Sequence, residues 1–119
     1  MLYIIQVITA LRQYLGHMAM TIAYGFGGGV GMTREICGTL TGGAMALGLK
    51  YGKGEADVKQ KKFVNEKVAA LCKEFEDFHG SVVCGELLGL RETNKKVNRA
   101  TCDDLIAEVV RLLEKYLVD

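Results

Sequence analysis

Three of the four cysteines in this 119-residue chain stand just behind a residue able to open a helix. Cys37 follows Thr33, Cys84 follows Ser81 and Cys102 follows Thr101. Serine and threonine are favoured at helix starts because the hydroxyl oxygen accepts one of the unpaired N–H groups of the first turn. A thiol in that turn lies at the positive end of the helix dipole, which favours its ionised form. Three such entrances, if they converge, meet the electrostatic requirement for cysteine ligation of a metal or cluster, or for a reactive thiol. Cys72 differs: it falls in mid-helix beside Val68, Leu71 and Phe75 and reads as core. Plain packing is an alternative for the other three as well, since free cysteine is among the most buried residue types.

The element that must position Cys37 is a glycine-rich loop, Gly25-Phe26-Gly27-Gly28-Gly29, feeding a central helix. With Thr33 as its cap and Ile36, Leu40 and Ala44 at helical spacing, this helix is predicted to run to about Tyr51, with Cys37 about one turn inside. Gly38 and Gly42 each cost about 1 kcal/mol of helix propensity, which close approach by another backbone or a ligand would offset. Gly27, Gly28, Gly29, Gly38, Thr39 and Gly42 are therefore the candidate cofactor-binding residues, and the glycines could donate backbone N–H groups to sulfur. A nucleotide loop is a poor match. The last glycine of G-x-G-x-x-G falls on Val30 or Met32, and no Lys-Ser or Lys-Thr follows.

The remaining elements also read as helices. Ile4, Ile8, Leu11 and Leu15 mark a first amphipathic helix, and His17 to Tyr24 a short second one. Glu55 to Phe78 is the longest, with Val64, Val68, Leu71, Phe75 and Phe78 on one stripe and its lysines in water, closed by Gly80. Ser81 is expected to cap a short helix through Leu88, and Leu90 to Ala100 to form a surface connection. Thr101 with Asp104 forms a capping box for the last helix, whose stripe is Leu105, Ile106, Val109, Leu112, Leu113 and Tyr116. With no proline and 50% apolar residues, the chain is expected to be all-α, a single compact domain of five or six helices over residues 1–119. Its formal net charge of +1 gives nucleic acid no basic stripe to bind. The start of the chain lacks a basic n-region and a small-residue cleavage site. The longest apolar run, Ile36 to Leu49, is too short for a membrane span, so a cytoplasmic protein is expected. His17 and His79 lack metal-ligand spacing and read as solvated or capping residues. The apolar first helix describes an ordinary core helix or a homodimer face equally well.

The cysteine and glycine pattern resembles the C_GCAxxG_C_C family, small proteins to which redox activity is ascribed from their cysteines and gene neighbours rather than from an established reaction. The resemblance is carried by the Gly25–Gly29 loop, by Cys37-Gly38-Thr39-Leu40-Thr41-Gly42 where the family has C-G-A-x-x-G, and by Ala46 to Gly52. Gly80-Ser81, Cys84 to Gly89, and Cys102 complete it. It implies a helical redox or metal-binding domain working with a redox protein or oxidoreductase partner. A related cysteine pattern in split-Soret cytochromes accompanies an iron–sulfur centre, which points to a cluster or another metal held by Cys37, Cys84 and Cys102. Thr39 replaces the motif alanine and adds a hydroxyl near the thiol. The family's first cysteine belongs near Tyr3, Ile4 or Ile5, where this chain has none; either that ligand is absent or the natural start lies upstream. Three functions are left open: a cluster or metal protein for electron transfer or redox sensing, a thiol–disulfide protein using Cys37 with Cys84 or Cys102, and a non-enzymatic helical interaction module.

Overall fold

The computed structural model describes residues 21–117. The first predicted helix, the first half of the second and the missing-cysteine position lie outside them. Among the described residues the chain is all-α. A 3-10 turn at Tyr24–Phe26 is followed by helices α1 (Gly38–Tyr51), α2 (Val58–His79), α3 (Cys84–Leu87) and α4 (Cys102–Tyr116). The Cα radius of gyration is 14.0 Å, close to the roughly 13.5 Å expected of one globule of this length. No helix among the described residues is long and apolar enough to cross a membrane.

The two long amphipathic helices form close to where the sequence places them, with α2 starting at Val58 rather than Glu55. Asp57 caps α2 by accepting the N–H of Gln60. At the far end Gly80 adopts φ +86° and returns its N–H to Glu76 O, the left-handed stop expected there. On α4 the Thr101 hydroxyl accepts from Asp104 N–H while the Asp104 carboxylate accepts from Thr101 N–H, the reciprocal box worth about 1 kcal/mol. Leu105, Ile106, Val109, Leu112 and Leu113 are all buried. Leu105, Val109, Leu112 and Leu113 pack with Leu40, Leu47, Leu71 and Phe75 into one cluster where α1, α2 and α4 meet. Gly43 lets α1 approach, for a Cβ there would stand 2.8 Å from Leu71 Cδ2.

Two of the helix starts at the cysteines also differ from expectation. Thr33 does not cap α1: its hydroxyl donates to Gly29 O and Val30 O within the glycine loop. The chain then runs extended, and α1 begins at Gly38 with Cys37 itself at the N-cap. Nor does Ser81 cap α3. Its hydroxyl accepts the N–H of Val83 and donates to Glu86 Oε1, and α3 starts at Cys84 behind Val83. Both helices are displaced by the same pairing, an antiparallel bridge between Ile36 and Val83. It ties Cys37 N–H to Val82 O and Cys84 N–H to Glu35 O.

The end of α2 also departs from expectation. Phe78 points outward at 60% exposure, and His79 takes the inward place at 5%. His79 lies against the rings of Phe75 and Phe78, with no hydrogen-bond partner at either ring nitrogen. It is therefore neither solvated nor a cap. Burial pushes its pKa below the ordinary 6.5, against a weaker opposing pull from Glu108 and Asn98. The native state thus resists a proton that the unfolded chain accepts near pH 6.5, so this contribution to stability is full above 6.5 and lost as pH falls below it. Denaturant midpoints are expected to fall between pH 7 and pH 5, with a shallower fall in His79→Leu. Equal slopes in the two proteins would refute the assignment.

Candidate functional site

The bridge between Ile36 and Val83 determines where the thiols go. Side chains alternate across an extended segment, so Cys37 and Cys84, each one residue beyond a bridged residue, share the face opposite to Ile36 and Val83. They stand as diagonal neighbours on it. Cys37 is 4% exposed and Cys84 7%. Cys102, the first residue of α4, is exposed. All three line a single cavity of about 220 Å³, although they come from α1, α3 and α4. Cys72 is not among its walls; it is half-buried in mid-α2 and packs against the core, as expected.

The candidate binding residues divide. Gly28, Gly29, Gly38 and Thr39 line the cavity. Gly27 and Gly42 do not: Gly27 uses its carbonyl to accept Met32 N–H within the loop, and Gly42 is buried inside α1. The loop is folded back on itself through left-handed backbone at Gly28, Gly29, Val30, Gly31 and Met32. Arg34 also has positive φ, and its side chain joins the cavity wall, with Nη1 4.0 Å from Cys84 Sγ. Sequence reasoning missed Arg34 and Met32. No motif marks either, and the only available signal was that a lone arginine follows a run of glycines.

Electrostatics at Cys37 reverse one expectation. The helix entrance was expected to favour a thiolate, yet burial pushes this thiol's pKa up. The Thr39 hydroxyl, 2.9 Å from Cys37 Sγ, and the N–H groups of Thr39 and Leu40 oppose that shift without cancelling it, and the nearby Cys84 adds to it. Desolvation of a nearly enclosed sulfur outweighs donors that act over one turn. Cys37 thus rests as a neutral thiol whose surroundings can stabilise its charge once the proton leaves.

Thiolates are the natural ligands of iron–sulfur clusters and of soft metal ions, and the three walls supply that donor chemistry. Among the described residues, however, no three His, Cys, Asp or Glu side chains lie close enough together to hold one metal ion. A single zinc draws its sulfurs to about 2.3 Å from one centre. A cluster shares its thiolates among several irons, so wider spacing round a cavity fits a cluster better than one ion.

No curated protein and no solved structure matches the chain. The family model described as "Putative redox-active protein (C_GCAxxG_C_C)" matches residues 4–116, from before the described region to the last turn of α4 and through every segment that lines the cavity. By that match across nearly its whole length, the chain belongs to the C_GCAxxG_C_C family.

Proposed function

We propose that this domain is a redox protein that holds an iron–sulfur cluster through Cys37, Cys84 and Cys102, for electron transfer or redox sensing with an oxidoreductase partner. One observation carries the reading: three thiols from three separate elements line one cavity, and the remaining cysteine does not. A bound cluster would supply one-electron chemistry. The chain's part is to furnish thiolates, exclude bulk water and set the charge around the sulfur. Cys37 is enclosed, and the Thr39 hydroxyl and the N–H groups at the entrance of α1 act on its sulfur. Donors of that kind stabilise charge on ligand sulfur and raise reduction potential. Three ligands leave one position for water, a small molecule or a partner's side chain.

The test is anaerobic purification, with an absorption spectrum and assays of iron, zinc and acid-labile sulfide per chain. Visible charge-transfer bands with matching iron and sulfide are expected. Cys37→Ser, Cys84→Ser and Cys102→Ser should each lose most of the iron, and Cys72→Ser should keep it. Unchanged iron in all three site variants would refute the reading.

A second reading, a Cys37–Cys84 disulfide couple, is favoured by the shared face of the two thiols. Oxidation would join the sulfurs, release two protons and pass two electrons to an oxidant disulfide, which leaves as two thiols. Diagonal neighbours across an antiparallel pair lie about 7–8 Å apart, at or beyond the roughly 7 Å Cα limit for a disulfide. The two segments must therefore shift to close it, which places this reading second. Loss of two free thiols on treatment with oxidised glutathione, in protein that carries no iron, would promote it. A metal-free protein that forms no disulfide would point instead to the interaction module.

A further inference from the structure

Arg34 has an arrangement that the cysteines alone do not explain. The residue is half-buried, lines the cavity and directs Nη1 at the sulfur of Cys84, 4.0 Å away. Among the described residues no carboxylate pairs with it. Arg91, the neighbouring guanidinium, is instead held by Glu35 at 2.9 Å. The backbone fixes Arg34 in place: its φ is +62° and its carbonyl accepts Gly85 N–H at 2.9 Å. A Cβ on Gly85 would stand 3.2 Å from Arg34 Cβ and 3.1 Å from Arg91 Cβ. The bare backbone of Gly85 is what lets Arg34 lie against α3 beside Cys84. A guanidinium cannot shed its charge in a protein, and partial burial strips some of its hydration.

We propose that the cavity takes an anion, anchored by Arg34 next to Cys84, so that the small molecules reaching this thiol are sulfur-bearing or thiol-reactive anions. The inference rests on this cavity being the working site. It does not depend on which redox centre occupies it, because an anionic cluster and an anionic thiol or disulfide make the same demand on Arg34.

Two alkylating probes of similar size test it, iodoacetate and neutral iodoacetamide. With each, the thiolate sulfur forms a bond to carbon as iodide leaves, so the thiolate fraction cancels in the ratio of their rates. The full-length chain, reduced and freed of metal by chelation, is labelled and each cysteine read by peptide mass spectrometry. The iodoacetate-to-iodoacetamide ratio at Cys84 is expected to exceed that at exposed Cys102 by about fivefold, the factor for one unit-charge attraction near contact distance in water. Arg34→Gln should bring it down to the Cys102 value, while Arg34→Lys and Arg91→Gln keep most of it. An unchanged ratio in Arg34→Gln, an equal loss in Arg91→Gln, or failure of both probes to reach Cys84 would overturn the proposal. Iron and sulfide assays on the untreated protein decide the cluster reading separately, so either can fail without the other.

Discussion

Phe75→Ala is expected to lower the unfolding free energy by about 3–5 kcal/mol, the cost of emptying a fully buried aromatic site. Phe75 has no exposed surface and lies in the cluster shared by α1, α2 and α4. Against a total stability of roughly 5–15 kcal/mol for a domain, that loss is about a fifth or more. The melting temperature should fall by on the order of 15 °C. Three residues on, Phe78 is 60% exposed, and Phe78→Ala should change stability by less than about 1 kcal/mol. Urea unfolding followed by circular dichroism separates the two. Equal losses would mean that the hydrophobic stripe of α2 had been placed on the wrong line.

That contrast shows what the sequence makes legible and what it does not. Leu71 and Phe75 repeat at i, i+4, and the next step on that line is His79. Phe78 at i+7 looked equally eligible, and its chemistry made it the obvious choice. The structure prefers the i+4 line because residues 96–98 fold over the end of α2, with Asn98 donating its backbone N–H to His79 O and its side-chain amide to Phe78 O. This covers His79 and leaves the Phe78 ring outside. No local pattern encodes that cover. By contrast α4 was fully legible, since its cap, its carboxylate partner and its stripe all lie within the helix and its first turn.

The site follows the same division. The spacing of Cys37, Cys84 and Cys102 behind helix openings singled out the three thiols that the fold turns toward one cavity. The helix starts themselves were misplaced at two of the three, because Ile36 and Val83 pair across 47 residues and hold both segments extended up to the cysteines. Long-range pairing of this kind leaves no signature in either segment alone. The thiolate expected at Cys37 failed for a related reason. A helix dipole can be read from sequence, whereas the depth at which packing buries a sulfur cannot, and at 4% exposure desolvation is the larger effect. Arg34 was invisible because its role depends on Gly85, fifty-one positions away in the chain.

The glycine loop gives the sharpest test of how the cavity is held. At Gly29 an added Cβ would stand 2.6 Å from Glu35 N and 2.8 Å from both Arg34 C and Arg34 Cα, with φ at +73°. These are backbone atoms that no rotamer change can move aside. The same two residues carry the carbonyls that receive Cys84 N–H and Gly85 N–H, so any displacement passes directly into the wall that holds Cys84. Gly31 is the natural comparison: its φ is +59°, but nothing lies within 4 Å of an added Cβ. Gly31→Ala should cost only the left-handed backbone penalty, about 1–2 kcal/mol. Gly29→Ala adds the backbone collision to that penalty, for a total of about 2–4 kcal/mol, with helical content preserved because the core of Leu40, Leu71, Phe75 and Val109 is not touched. The displacement should also be read at the thiol itself. Iodoacetamide labelling of Cys84 is expected to quicken on the order of tenfold in Gly29→Ala, the factor for about 1.4 kcal/mol of lost protection, and to stay near the parent rate in Gly31→Ala. Matching rates in the two variants would show that the loop does not position Cys84, and that the bridge between Ile36 and Val83 holds the thiol by itself.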